Sequence, residues 1–556
     1  MSWDRTSPPF VKGDTLYIPS SFIAWTGAAL DEKTPLLRSQ NAIQNEGLRL
    51  LRHLGDNDTQ KVVSCVGWEQ EFFIVDRSMW LERPDLISCG RTLIGAAAPR
   101  GQQSSANYFS RLHPRIKALM DDWCNAQIEV GICSNVFHNE VAPGQHEQSP
   151  VFSLTNVAAD QNILAMELLN DIAAEHDLVP LYHEKPFAGI NGSGKHANWG
   201  LNTDTGKNLY APGKTAETQG DFCTFTTALA HAITQHADVL RCSIATAGND
   251  HRLGAQEAPP AILSLYTGNE LAAAMKGVAF DGAALDCYGA PPTMIASGTP
   301  NVSDIAGAPE DRNRTAPIPF CGNRFEFRAV GSSQNIAFPL AVLNTAVADG
   351  CAAISDKVEA GASPRDAVAA VLADNWHGVF NGDGYSDEWA AEAAERGLLN
   401  LKTTPEAWAT FDAPKNVALF EKYGVFSAAE TGARKNIALD AYSMSIEIEG
   451  NSLLKMLDTA VMPALAKDLD NYKNFDAGVD RASLYASVAS GTNALRTALD
   501  GVPEGEQAAA DYCVGTLKPA MDHVRVATDQ AENLCEDWPY PSYQDLLFNH
   551  QTEAAL

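Results

Sequence analysis

The chain is poor in basic residues, has no long uninterrupted apolar run, and carries no paired-cysteine motif. Lysine and arginine number 40 against 69 aspartates and glutamates, a net charge of −29. A nucleic-acid protein normally shows a basic face, so no nucleic-acid partner is expected. An anionic substrate must be drawn in by local arginines and metal ions, because the overall field repels it. No run of about 18 uncharged apolar residues is found, so no membrane partner is expected either. The 11 cysteines lie scattered from Cys65 to Cys535 without a C-x-x-C pair. That pattern suits reduced thiols and a cytoplasmic location, with organellar targeting of a longer parent left open. Residues 1–13 have neither a basic n-region nor an apolar h-region, so no secretory signal is expected there.

A chain of 556 residues exceeds one compact core, so two or more domains are expected. Residues 61–76 read as a strand with a valine-rich entry and the run Glu69-Gln70-Glu71-Phe72-Phe73. Residues 151–178 carry apolar residues at helical spacing, with Thr155 or Asp160 as candidate caps. A short strand is expected at 178–182, leading into a glycine-rich loop at 189–194, and buried helices at 222–240 and 336–358. From about residue 429 the pattern is steadily helical, with segments 453–469, 482–499 and 506–535 separated by Gly, Pro and Asp breaks. The expected division is a lead-in segment at 1–60, a catalytic domain at 61–428 and a C-terminal helical region at 429–556.

Chemistry enters through short stretches. Residues two apart on a strand point the same way, so Glu69 and Glu71 share one face. An isolated E-x-E usually marks a solvated edge. Here Trp68, Phe72, Phe73, Ile74 and Val75 point to a buried strand, and buried paired carboxylates call for a cation. Pro143-Gly144 reverses the chain between Glu140 and Glu147, which lets those carboxylates converge. Hard oxygen ligands suit Mg2+ or Mn2+ rather than zinc. His138 and His146 read as hydrogen-bonding neighbours rather than ligands.

Gly189 to His196 has P-loop spacing, but His196 replaces the Ser/Thr and strand material follows where a helix is required, so the P-loop is rejected. The glycines suit close approach of a substrate to backbone amides, with His196 offered to a metal. Arg252 to Glu257 reads either as a mobile lid carrying one carboxylate or as a surface salt bridge. Arg312, Arg314, Arg324 and Arg328 are close in sequence. On a strand, Arg324, Glu326 and Arg328 share a face, as residues that bind phosphate and carboxylate.

In this order, W-E-Q-E-F-F, N-E-V-A-P-G-Q-H-E, K-P-F-A-G-I-N-G-S-G-K-H, N-D-H-R-L-G-A-Q-E-A-P-P and R-F-E-F-R resemble glutamine synthetase. The Asn-Asp-His-Arg stretch, the chain length and the helical C-terminus resemble its type III class. The resemblance implies an α+β fold, a curved antiparallel sheet with packed helices as in the glutamine synthetase/guanido kinase-like domain, plus a C-terminal helical region. It implies a ligase that makes glutamine from glutamate, ammonia and ATP through γ-glutamyl phosphate, with two or more Mg2+ or Mn2+ ions per site. By resemblance Glu71, Glu140 and Glu147 hold the first ion, and Glu69, His196 and Glu326 the second. Asn191, Gly192, Arg252 and Arg328 contact glutamate; Arg324 and Asn198 contact the nucleotide. Arg314 steadies the transferred phosphoryl group, and Glu257 is the lid carboxylate. A homo-oligomer of stacked hexameric rings is the implied assembly.

Pro319 stands where many members of the wider family have an arginine. Only residues 1–68 precede Glu69, so the chain is expected to lack the family's small N-terminal β-grasp domain and its ammonium-deprotonating aspartate. The competing expectation is therefore a truncated, non-catalytic or modulatory subunit.

Overall fold

Val62–Asp76 is a single 15-residue strand, long because β-branched and aromatic residues fill it. The computed structural model describes residues 1–547 apart from 255, 257, 289–293, 308–312 and 474–477. The central sheet runs in the order Phe325–Phe327, Lys195–Thr203, Val62–Asp76, Gln145–Pro150, Ser134–Asn139, with every neighbour antiparallel. Ser153–Leu154 and Leu178–Leu181 also pair with the long strand.

Alternation divides this sheet into two faces. Trp68, Phe72, Ile74 and Trp199 point into the main core, where Phe72 meets Trp123 edge-on at 5.6 Å. Lys33–His53 and Ala337–Glu359 pack together on the core side. Ala337–Glu359 is long and apolar enough to cross a bilayer, yet 89% of its most apolar window is buried inside the protein. It is a core helix. Its one buried amide, Asn344, is satisfied: Oδ1 accepts from Trp199 Nε1 at 3.0 Å, and Nδ2 donates to Ser39 and Ser64.

Two expected helices differ in detail. Thr155–Glu175 starts without a side-chain cap; the Thr155 hydroxyl is spent on Ser64 and Asp160 on Lys33. The helix expected at 222–240 is two helices, Ala216–Gln235 and Ala237–Ser243, broken at His236.

The C-terminal region is helical as its periodicity indicates. Ala428–Met456 starts with a capping box between Ser427 and Glu430. It passes through a wide π turn, Leu457–Val461, into Met462–Tyr472, and a second π turn, Cys513–Leu517, leads into Lys518–Glu532. Pro463 and Pro519 follow these turns; each lacks an N–H and crowds the preceding turn, which the wider winding accommodates.

This region is bolted to the sheet domain by specific pairs. Arg91 grips Glu449 through two bonds of 2.8 Å, and Arg525 donates to the Thr92 carbonyl at 2.6 Å. Tyr543 stacks on Phe187 at 4.1 Å and donates to the Pro143 carbonyl at 2.6 Å. The C-terminal segment thus holds the turn that joins Ser134–Asn139 to Gln145–Pro150.

Candidate active site

Register assembles the site. His196 lies opposite Glu69, Asn198 opposite Glu326, Glu147 opposite Glu71, and His138 opposite Glu147. Because side chains alternate, all of these share the face turned away from Trp68 and Phe72. His146, opposite Phe72, belongs to the other face.

Within that face the ligand atoms of Glu69, His196 and Glu326 lie within 4.8 Å of one another. His196 Nδ1 is 3.1 Å from Glu69 and 3.2 Å from Glu326. Its Nε2 is buried without a hydrogen-bond partner among the described residues and faces Glu71 at 4.0 Å. Glu140 and Glu147 converge across the Pro143-Gly144 turn, together with His138, which lies 3.6 Å and 3.8 Å from them. Sequence reasoning set His138 aside as a neighbour. Its Nδ1 does meet the Asn139 carbonyl at 2.9 Å, while its Nε2 faces Glu147.

The electrostatics are unbalanced. Burial pushes Glu147 well above the usual carboxylate range, and the charges of Glu69, Glu140 and Glu71 push it further. Burial works against both charged forms of the Glu69–His196 pair. Their hydrogen bond nevertheless lowers Glu69 and raises His196. Arg328 supplies one compensating charge through its 2.7 Å bond to Glu326. Carboxylates gathered this closely are what divalent cations with oxygen-rich shells neutralise, and the His196 Nε2 atom offers a further ligand. The residues present fit such ions.

The glycine loop is packed, not loose. Gly194 N–H donates to Glu71 at 2.5 Å. A side chain at Gly192 would overlap the Glu184 carbonyl, and one at Gly194 the Arg252 guanidinium. Gln145 donates to the Gly192 carbonyl at 2.9 Å and to Ser193 at 3.1 Å. Gln102 holds Asn191 from both sides, donating to its Oδ1 at 2.8 Å and accepting from its N–H at 2.6 Å. Neither glutamine was singled out in the sequence. The only sequence signal for Gln145 is its place beside the Pro-Gly turn; Gln102 has none.

The Arg252 side chain itself is neither a surface ion pair nor part of an exposed loop. It is 3% exposed and donates to the carbonyls of Val330 and Arg328, beneath the loop rather than on a surface lid. Asn249 is equally structural, donating to Ile244 and Ala329. Glu257 and Arg312 lie outside the described residues.

On the other flank Asn198 bridges two groups. Its Nδ2 donates to Glu69 at 3.0 Å, and its Oδ1 accepts from Arg324 at 2.6 Å. These residues line an open cavity of about 370 Å3 together with Asn135, Phe152 and Asn202. Arg328 is buried beside Glu326 and also donates to the Asn313 carbonyl at 3.1 Å. Arg314 follows in an exposed turn.

Three family descriptions match successive parts of the chain: glutamine synthetase type III N terminal over residues 1–39, glutamine synthetase catalytic domain over 48–269, and glutamine synthetase C-terminal domain over 365–474. The type-3 glutamine synthetase of Dictyostelium discoideum is 39% identical over 582 residues, covering 98% of this chain and 79% of its own. The glutamine synthetase of Bacteroides fragilis is 36% identical, with the same coverage of 98% and 79%. A solved structure titled "Apo GmaS without ligand" aligns over 78% of each chain at 18% identity and a TM-score of 0.47.

Proposed function

The chain belongs to the glutamine synthetase family, in its type III class, and we propose that it joins ammonia to glutamate with cleavage of ATP. The observation that carries this reading is the acidic sheet face. Its carboxylates crowd around His196 between a cavity on one flank and a glycine loop on the other.

In this reading Glu71, Glu140 and Glu147 hold one Mg2+ or Mn2+ ion, and Glu69, His196 and Glu326 hold another. When bound, the ions neutralise the charge that builds on the phosphoryl oxygens. Asn198 and Arg324 orient the nucleotide in the cavity. Asn191, Gly192, Arg252 and Arg328 fix glutamate at the loop so that its γ-carboxylate oxygen attacks the terminal phosphorus and ADP leaves. Arg314 steadies the group in transfer. Ammonia then attacks the carbonyl carbon of γ-glutamyl phosphate, the adduct gives up a proton, and phosphate departs. Glu257, assigned from its motif alone, is the lid carboxylate that takes that proton, and closure keeps water from the acyl phosphate. A homo-oligomer of stacked hexameric rings in the cytoplasm completes the reading.

The test is glutamate- and Mg2+-dependent phosphate release from ATP, with ammonium and with hydroxylamine as acceptors. Turnover with both supports the full ligase. Hydroxylamine activity alone supports the phosphorylation site and points to an incomplete ammonium site. Silence with both, in folded protein, overturns the proposal in favour of a modulatory subunit.

A further inference from the structure

A second cavity, of about 280 Å3, lies where the C-terminal helix Ala428–Met456 meets the sheet domain. That is just below the usual range of ligand pockets, which begins at about 300 Å3, and suits a small molecule. Ser88, His183, Glu184, Thr246, Ser445 and Glu449 are among its walls. None of the residues assigned above to metal, nucleotide or glutamate lines it.

Its floor contains a half-used carboxylate. Glu184 is 1% exposed, and its Oε1 accepts from both Ser333 N–H at 3.1 Å and Ser333 Oγ at 2.7 Å. Its Oε2 accepts no hydrogen bond from any described residue. That oxygen keeps its acceptor capacity for a donor on a bound molecule. Glycines at 248 and 331 make the space for it, since a side chain at either would overlap the carboxylate.

His183 supplies the complementary group. Its Nδ1 accepts from the Lys185 N–H at 2.9 Å, which places the proton of the neutral ring on Nε2. Burial lowers the His183 pKa, so the neutral ring is the form present near pH 7. Glu184 Oε2 and His183 Nε2 both border one point beside Gly248: a methyl there would overlap the first and touch the second at 3.5 Å. On the far wall, Glu449 already has both oxygens on Arg91 and does not compete for a cation. Ala247 and Ile448 add apolar surface.

We propose that this cavity binds a free α-amino acid, its ammonium group on Glu184 and its carboxylate on the Nε2–H of His183. A divalent cation is a poor match, because one wall offers an N–H donor where a ligand is needed. A simple anion is a poor match to Glu184. A zwitterion meets both. The Glu184 carbonyl accepts from Ser193 N–H at 2.8 Å, so the occupied cavity sits one residue from the glycine loop. The binding claim stands apart from the catalytic reading.

Titration calorimetry of the full chain with L-alanine tests it. The expected result is one saturable site, weakened at least tenfold by Glu184→Gln and by Ser445→Trp, and retained in Asn191→Ala. Ser445 is on the exposed rim and bonds only to its own helix, so its variant decides the matter if Glu184→Gln misfolds. L-alaninamide and propionate, each lacking one charge, are expected to bind at least tenfold more weakly. Binding that survives Ser445→Trp and is lost in Asn191→Ala overturns the proposal in favour of the glutamate position. Absence of saturable heat with L-alanine also overturns it.

Discussion

Among the described residues three groups gather histidine nitrogens and carboxylate oxygens within 4.8 Å, and they occupy two places that differ in charge balance: one group apart from the sheet, and two together on its acidic face. His231, His236 and Asp349 form the first. There one carboxylate is shared by His236 at 2.9 Å, Lys422 at 2.9 Å and the Tyr423 hydroxyl at 2.9 Å, with His231 at 3.5 Å. On the sheet face the ratio is reversed: Glu69, Glu71, Glu140, Glu147 and Glu326 crowd together with His196 and His138, and Arg328 bonds to Glu326. Residue types alone nominate both as metal centres. Charge balance separates them: the first is an ion-pair network centred on Asp349 that ties Ala216–Gln235 to Ala337–Glu359, and the second is the acidic face that the proposed metal ions would neutralise.

The difference predicts opposite consequences for mutation. Glu147→Gln is expected to lower glutamine-forming activity by about 10²- to 10³-fold, the scale of losing one group that stabilises transition-state charge. In chelator it leaves the unfolding temperature unchanged or raises it, because it removes a repelling charge. The next effect is on stability. Asp349→Asn is expected to cost about 2 kcal/mol, as when a charged hydrogen-bond acceptor shared by several donors is removed, with kcat per folded molecule unchanged. Urea unfolding and steady-state assays separate these outcomes.

The pH dependence carries opposite signs as well. Although burial opposes it, bonds from His231, His236 and Lys422 hold Asp349 far below the usual carboxylate range. Its contribution is therefore full above the unfolded value of about 3.9 and is lost as pH falls below it. The stability gap between wild type and Asp349→Asn should shrink in acid. Glu147 is raised, so the folded chain binds a proton that the unfolded chain does not. In chelator wild-type stability should fall as pH rises above the unfolded carboxylate value toward the raised folded one, and Glu147→Gln should flatten that slope. Unfolding midpoints measured from pH 2 to 8 give both slopes.

Saturating Mg2+ sharpens the contrast further. At 100 times the dissociation constant it should stabilise wild type by about 2.7 kcal/mol. Asp349→Asn should gain as much, and Glu147→Gln clearly less. The smallest effect is at the C-terminal bolt. Tyr543→Phe strands the Pro143 carbonyl and should cost about 1 kcal/mol, with a modest loss of metal affinity because that turn positions Glu140 and Glu147.

The acidic face was legible in the sequence wherever strand parity decides the geometry. Glu69 and Glu71 share a face by alternation, Glu140 and Glu147 meet by a Pro-Gly reversal, and Glu326 lies between arginines on a strand. The apolar residues around them said which side was buried. What was not legible depends on distant segments meeting. Arg252 sits in a stretch with every local mark of a surface loop, and only the carbonyls of Val330 and Arg328 explain its burial. Gln102 reaches Asn191 across 89 positions with no periodicity to announce it. Thr155 has the composition of a cap, but tertiary context gave its hydroxyl to Ser64. Glu184 attracts no notice in the sequence; its importance comes from the glycines at 248 and 331 that close around it.

The most direct test is calorimetric titration of Mn2+ into wild type, Glu147→Gln and Asp349→Asn at pH 7.5. The account predicts saturable binding in wild type, a site lost or weakened at least tenfold in Glu147→Gln, and an unaltered isotherm in Asp349→Asn. Binding that is indifferent to Glu147→Gln but abolished by Asp349→Asn would contradict it, placing the metal centre at the histidine pair instead of on the sheet.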